Sequence, residues 1–282
     1  MKIFESKKEL NIYLDDIRYK NMKIGFVPTM GCIHKGHLSL IKKTISENDI
    51  AVCSIFVNPV QFNNTDDFKK YPRTLDEDIA KLESANCDIL FAPSEKEIYP
   101  EPPVEQYNLA GLDNVMEGKY RPGHFNGVVT VIKRLFDIIG QCNAYFGEKD
   151  YQQLVIINHI VKQLSLPVNI HSVETCREDD GLAMSSRNIL LAREERKAAP
   201  LLYQSLLYVK KNIRNKPPEK LKEDVKTKIN SNPLFKLDYI EIAHKDNLLP
   251  ANDKIINPDL YRVFIAAYLG NVRLIDNISL SD

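Results

Sequence analysis

The stretch Lys23-Ile24-Gly25-Phe26-Val27-Pro28-Thr29-Met30-Gly31-Cys32-Ile33-His34-Lys35-Gly36-His37 decides the fold. Its first six residues are mostly apolar and end at a proline, as a buried strand does. Its end opens a helical pattern over residues 37–46, with Leu38, Leu40, Ile41 and Ile45 on one apolar side. Between strand and helix, Gly31 and Gly36 let the backbone turn and approach a ligand closely. The alternation continues downstream. Residues 50–57 (IAVCSIFV) read as a second, nearly all-apolar strand and residues 87–92 as a third. Residues 74–84 read as a helix on Leu75, Ile79 and Leu82, with Thr74 as its cap and Glu77 completing a capping box. Helices are expected over residues 127–139 and 150–164, and strands over 143–146 and 168–173. Apolar, β-branched runs separated by helices indicate a parallel sheet covered on both faces. The expected fold class is therefore α/β, a Rossmann-like doubly wound parallel sheet over residues 1–176. Ligands of such sheets sit at the carboxyl ends of the strands.

After about residue 176 the composition shifts. Residues 194–228 are charged and helical, interrupted by Pro217 and Pro218. Strands are expected over 237–243, 263–269 and 272–275, and Gly270-Asn271 suits a tight hairpin turn. Residues 177–282 are expected to form a second, smaller α+β C-terminal domain. Residues 93–108, with Pro100, Pro102 and Pro103, read as an irregular surface loop.

Composition narrows the function. Lys plus Arg number 38 and Asp plus Glu number 38, so the formal net charge is zero and bulk-charge binding to nucleic acid is not expected. The five cysteines are odd in number and include no CxxC pair, which points to reduced thiols in a cytoplasmic protein rather than to a disulfide framework. No run of residues has the length and apolarity of a membrane span, and the first twenty residues lack the apolar core of a signal peptide.

The opening stretch also carries the chemistry. The start of a helix offers unpaired N–H groups and a positive dipole end, a natural place for phosphate. His34 and His37 stand three apart at that mouth, where they can donate hydrogen bonds to phosphate oxygens. Read as residues alone, the stretch is equally a strand–loop–helix corner that carries two histidines. Asn58-Pro59-Val60-Gln61-Phe62 follows the second strand. Gln61 has a donor and an acceptor with which to read a hydroxyl, although the segment also suits a plain polar turn. Glu77 and Asp78 are two acids on one helix; either could hold Mg²⁺ against phosphates, and the residues alone do not choose. Arg121 and His124 could contact substrate or order a loop. Gly147-Glu148-Lys149-Asp150 follows a strand end, and Lys149 is a compact cation suited to phosphate. Met184-Ser185-Ser186-Arg187 supplies two hydroxyls and a guanidinium, again matched to phosphate oxygens.

HxGH is the signature of the nucleotidyltransferase superfamily and, as HIGH, of class I aminoacyl-tRNA synthetases. The longer string from Pro28 to His37 resembles the PTMGxxHxGH of the pantoate–β-alanine ligase (pantothenate synthetase) family. Residues 57–62 resemble its VNPxQF, 71–74 its YPRT, 121–128 its RPGHFxGV, 147–153 its GxKDxQQ and 181–188 its GLAxSSRN. Two positions depart: Cys32-Ile33 stands where many members have Ala-Leu, and Cys176 lies near a position that gives adenine backbone contacts. The resemblance implies the condensation of ATP, (R)-pantoate and β-alanine to pantothenate, AMP and diphosphate through a pantoyl adenylate. It implies ATP binding by Met30, Gly31, Cys32, Ile33, His34, Lys35, Gly36 and His37, by Gly147, Glu148, Lys149 and Asp150, and by Cys176, Met184, Ser185, Ser186 and Arg187. His34, His37, Lys149 and Arg187 would be catalytic. Gln61 and Gln153 would read pantoate, Gln61 also β-alanine, and Glu77 or Asp78 would meet Mg²⁺. A homodimer and a C-terminal domain acting as a lid are further expectations. A nucleotidyltransferase that leaves AMP or CMP on a phosphorylated metabolite would use the same HxGH and Ser-Ser-Arg elements, but would leave Gln61 and Gln153 without a task. So would a regulatory protein that binds ATP without turnover.

Overall fold

The computed structural model describes residues 1–62, 68–69, 71–251 and 255–281. They form two compact units, Met1–Gly147 with Gln153–Glu174, and Glu148–Gln152 with Thr175–Asp282.

The first unit is a six-stranded parallel sheet. Its strands are β1 (Lys2–Phe4), β2 (Ile24–Thr29), β3 (Ile50–Ile55), β4 (Ile89–Phe91), β5 (Cys142–Gly147) and β6 (Val168–Val173), in the spatial order β1-β4-β3-β2-β5-β6. The order reverses between β2 and β5, so the doubly wound sheet has its switch point beside the carboxyl end of β2. The helices are α1 (Lys7–Tyr19), α2 (Lys35–Glu47), α3 (Leu75–Ser84), α4 (Glu95–Ile98), α5 (Met116–Tyr120), α6 (His124–Ile139) and α7 (Tyr151–Gln163). Right-handed crossovers put α2 and α3 on one face and α1 and α6 on the other. Arg18 of α1 donates to the carbonyl of Ile139 at the end of α6. Phe26, Val27, Ala51, Val52, Cys53, Leu90, Phe91, Ala144 and Tyr145 have no exposed surface, because strands covered on both faces need apolar side chains in both directions.

The second unit is an antiparallel sheet of β7 (Phe235–His244), β8 (Tyr261–Leu269) and β9 (Val272–Ser279) with α8 (Arg193–Ala198), α9 (Leu201–Asn212) and α10 (Pro218–Asn230). Leu202, Leu206 and Val209 of α9 and Leu221, Val225 and Ile229 of α10 recur at helical spacing and close over Val263, Ile265 and Leu274. Pro218 starts α10, where its missing N–H leaves no bond unmade. Leu269 pairs with Val272, so Gly270 and Asn271 make the expected two-residue hairpin, with Gly270 at φ +54°.

The N-terminal residues supply two elements beyond those expected, β1 and α1, and α1 buries Leu10, Leu14 and Ile17. Two expectations need correction. The capping box at Thr74 does not form: Thr74 makes no side-chain cap bond, and its hydroxyl donates instead to Asp78. Residues 93–108 are not only a surface loop. Ser94 caps the short α4, and Ile98 and Tyr99 turn inward and are buried.

Candidate active site

The loop after β2 is held at its start and from α3. Thr29 anchors its start, donating to the Ser54 carbonyl at 2.8 Å and accepting from the Gly31 N–H at 3.1 Å. Gly31 turns the chain at φ +82°, and Cys32 follows at φ +52°, a left-handed conformation unusual for a residue with a side chain. Asp78 of α3, 1% exposed, holds that conformation in place. Its carboxylate accepts from the N–H groups of Cys32 at 2.8 Å and Ile33 at 2.6 Å, and from the Thr74 hydroxyl at 3.2 Å. Burial, then the charge of Asp78, pushes the Cys32 thiol up. A cavity of about 310 Å³ opens beside this loop, with Met30, Gly31, Phe56, Arg73 and Thr74 in its wall.

The two histidines cap α2. His34 is the N-cap; its Nδ1 accepts from the Gly36 N–H at 3.1 Å, and His37 Nδ1 accepts from the His34 N–H at 3.4 Å. The rings stack with centroids 4.0 Å apart. An Nδ1 that accepts assigns the proton of the neutral ring to Nε2. Each imidazole is thus pinned on its backbone side and carries a donor on its other edge, beside the amino end of a helix. Histidine is not a usual N-cap, so nothing in the residue pattern signals this reciprocal arrangement.

Next to the loop, the segment after β3 fixes a glutamine. Asn58, 1% exposed, donates to the Gln61 side-chain oxygen at 3.1 Å and to the Gly127 carbonyl at 3.0 Å, and accepts from the Tyr99 hydroxyl at 2.9 Å. Gln61 Nε2 lies against Met30 Sδ, which joins this segment to the histidine loop. Arg121 donates to His124 Nε2 at 3.1 Å, so Nδ1 carries the proton and donates to the Gln61 carbonyl at 2.8 Å. His124 thus orders the backbone of Gln61. Gly127 is required here, because a Cβ would stand 2.4 Å from the Val60 carbonyl oxygen. Glu77, by contrast, is exposed, 3.7 Å from Lys81. Gln153 is half-buried in the first turn of α7.

The remaining predicted residues, Gly147 apart, belong to the second unit. Ser185 caps the 3₁₀ turn Ser186–Leu190, its hydroxyl accepting from the Arg187 N–H at 3.2 Å. The segment before it is folded back by a bridge between Arg177 and Ala183, and Met184 N–H donates to the Cys176 carbonyl at 2.9 Å. Asn188 ties the turn to Glu178 at 2.9 Å, and Arg196 reaches both Glu178 and Asp180. The Arg196 hydrogen bond holds the Asp180 carboxyl below its usual range. Glu148, Lys149 and Asp150 form a 3₁₀ turn of this unit, not of the sheet that Gly147 ends.

The structure therefore brings together residues 30–37, Gln61 and Asp78 in one unit, and Lys149 with residues 176 and 184–187 in the other. Tyr99, Arg177 and Asp276 enter as supports that sequence reasoning did not single out, and Asn58, read there as part of a turn, holds the Gln61 side chain. Among the described residues, no group of three or more His, Cys, Asp or Glu is placed to hold a metal, and no helix is long and apolar enough to cross a membrane.

A doubly wound α/β sheet thus carries paired histidines on the loop at its switch point. Comparison with known proteins narrows this α/β class. The family model for pantoate-beta-alanine ligase matches residues 2–279, and the chain belongs to that family. It is 43% identical over 282 residues to the pantothenate synthetase of Flavobacterium psychrophilum, an overlap covering 99% of this chain and 100% of that protein. Against the pantothenate synthetase of Aquifex aeolicus it is 44% identical over 278 residues, covering 98% and 97%. Among solved structures, pantothenate synthetase from Thermus thermophilus superimposes with a TM-score of 0.91 at 40% identity, covering all of both chains. The pantoate-beta-alanine ligase of Francisella tularensis, solved with beta-gamma ATP and beta-alanine, gives 0.82 at 39% identity over 99% of this chain and 98% of that one.

Proposed function

We propose that this protein is an ATP-driven ligase that condenses (R)-pantoate with β-alanine, releasing pantothenate, AMP and diphosphate through a pantoyl adenylate. The observation that carries the reading is the contact between Gln61 and Met30. It sets a glutamine of fixed orientation beside a helix start capped by two histidines. A protein that only bound ATP would need the second and not the first.

The chemistry asks for both. A carboxylate resists attack by an amine because its charge repels the nucleophile and oxide leaves poorly. Adenylation exchanges that oxide for AMP. As the pantoate carboxylate attacks the α-phosphorus, charge grows on the α-phosphate and on departing diphosphate. The Nε2–H groups of His34 and His37, the N–H groups at the start of α2, and Lys149, Ser185, Ser186 and Arg187 are the donors proposed to stabilise it. Residues 30–37, 147–150, 176 and 184–187 would hold the nucleotide. Gln61 and Gln153 would read pantoate's hydroxyls, with Gln61 also near β-alanine. A site that satisfies a buried hydroxyl rejects an analogue lacking it by about 10⁴-fold. The β-alanine amine then attacks the acyl carbon and AMP departs.

The donor set fits Mg²⁺ carried mainly by the substrate's phosphates. Mg²⁺ takes one or two protein carboxylates together with phosphates and water. Exposed Glu77 can supply one; Asp78 already spends both oxygens on the Cys32–Ile33 turn. Bound there, the ion would supply charge neutralisation at the phosphates. We further propose a homodimer in the cytoplasm that takes small-molecule substrates and not nucleic acid, and a C-terminal unit, residues 177–282 in the main, that excludes water from the adenylate. Exchange of labelled diphosphate into ATP tests the reading: it should require pantoate and proceed without β-alanine. Exchange that ignores pantoate would overturn it.

A further inference from the structure

Strand β9 carries two buried polar residues, Asp276 at 4% and Asn277 at 2% exposure. Burying such groups is costly unless each polar atom finds a partner. Asn277 spends both amide hydrogens on one turn, donating through Nδ2 to the carbonyls of Glu148 and Lys149, each at 2.9 Å. Its Oδ1 accepts from Arg262 Nε at 2.9 Å, and Arg262 in turn reaches the Glu148 carboxylate at 3.0 Å and lies 4.0 Å over the Tyr151 ring. Asp276 faces the other way, as successive residues of a strand do. It takes the fork of Arg177 at 2.7 and 2.9 Å, and Arg177 also donates to the Gly181 carbonyl at 3.0 Å. Two neighbours on one strand thus grip the turn that carries Lys149 and the start of the segment that carries Ser185, Ser186 and Arg187. All of these residues lie in the second unit.

We propose that Asn277 is a positioning residue for Lys149, and that the Asp276-Asn277 pair sets the spacing between Lys149 and the Ser-Ser-Arg segment. The inference rests on the reading that these cationic and hydroxyl groups serve adenylation. An asparagine suits the task because it offers two donors and one acceptor on a short side chain. Without it the Lys149 backbone loses its tie to β9, and a displacement of about 1 Å in a group that meets the reacting phosphate can lower a rate by roughly 10²-fold. Neither residue touches substrate, so each acts through the groups it holds.

The test is a double-mutant cycle on single-turnover formation of pantoyl adenylate, using Asn277→Ala, Lys149→Ala and the pair. Asn277→Ala should lower the adenylation rate about 10- to 100-fold while the KM for pantoate moves less than about twofold, because Gln61 and Gln153 lie in the other unit. In the Lys149→Ala background the same substitution should change the rate by less than about threefold. Asn277→Asp is the second variant: it keeps the shape and the contact to Arg262 but turns a carboxylate onto two carbonyl oxygens, and should behave as Asn277→Ala does. An equal loss in both backgrounds would mean a structural role only and would overturn the proposal, as would an unchanged rate in Asn277→Ala. If Lys149→Ala itself adenylates at the parent rate, the underlying assignment of Lys149 fails, and the proposal with it.

Discussion

Replacing Asp78 by asparagine isolates what holds the histidine loop. The change is nearly isosteric, so it opens no cavity. It leaves one oxygen where two stood, and it puts an NH₂ group against a donor. Of the N–H groups of Cys32 and Ile33, at 2.8 and 2.6 Å, one loses its acceptor while buried, which costs about 1–3 kcal/mol. The other keeps an acceptor without charge, a loss of about 1 kcal/mol. Relief from burying a carboxylate offsets part of this, leaving about 2–3 kcal/mol. For a chain of this size that corresponds to a fall in Tm of roughly 4–12 °C. The chain contains no tryptophan, so far-UV circular dichroism is the suitable probe. The same variant should slow single-turnover adenylation at least about tenfold, since Cys32 at φ +52° is no longer held and the amino end of α2 shifts with it. A Tm within about 1 °C of the parent, together with an unchanged adenylation rate, would refute the reasoning that Asp78 serves the loop.

Other consequences follow from single contacts. Gly127→Ala places a Cβ 2.4 Å from the Val60 carbonyl, so α6 must move away from the Asn58–Gln61 segment; the KM for pantoate should rise at least about fivefold with little change in that for ATP, measured by steady-state kinetics. Cys53, Cys87 and Cys142 are buried, and burial pushes their thiols up, Cys87 to about 11 and Cys142 to about 12. A chromogenic disulfide reagent at pH 8 should therefore react quickly with half-buried Cys176, more slowly with Cys32, whose thiol burial and the Asp78 charge push up, and with all five thiols only after denaturation. The Tyr208 hydroxyl and then the Lys216 ammonium hold the Asp224 carboxyl down at about 2. A depressed carboxyl pKa stabilises the fold above the unfolded value of about 3.9 and loses that contribution as pH falls through the folded one. The gap in urea midpoint between the parent and Asp224→Asn should thus be full at pH 5 and shrink toward pH 2; a gap that stays constant would contradict the assignment.

Much of the sheet was legible because a strand covered on both faces has to be almost wholly apolar, and residues 50–57, interrupted only by Ser54, say so plainly. The hairpin at Gly270-Asn271 was legible for the same local reason, a turn that demands a particular backbone. The N-terminal elements were not. Lys2–Phe4 is too short for periodicity, and the apolar side of α1 at Leu10, Leu14 and Ile17 is diluted by charges between them. Thr74 misled because its capping signal is local while the partner that wins, Asp78, is fixed by N–H groups about 45 residues away in sequence. The loop histidines were readable as residues; their mutual capping was not. Asp276 and Asn277 left no trace in the pattern, since Arg177, Glu148 and Lys149, which they grip, lie 99 to 129 positions off and only the folded second unit brings them together.

The central claim is tested most directly by product analysis of the purified protein with Mg²⁺-ATP and pantoate, with and without β-alanine. The account predicts bound pantoyl adenylate and one equivalent of diphosphate when β-alanine is omitted, and continuous AMP, diphosphate and pantothenate when it is added. Folded protein that binds ATP but releases no pantoate-dependent diphosphate would contradict it.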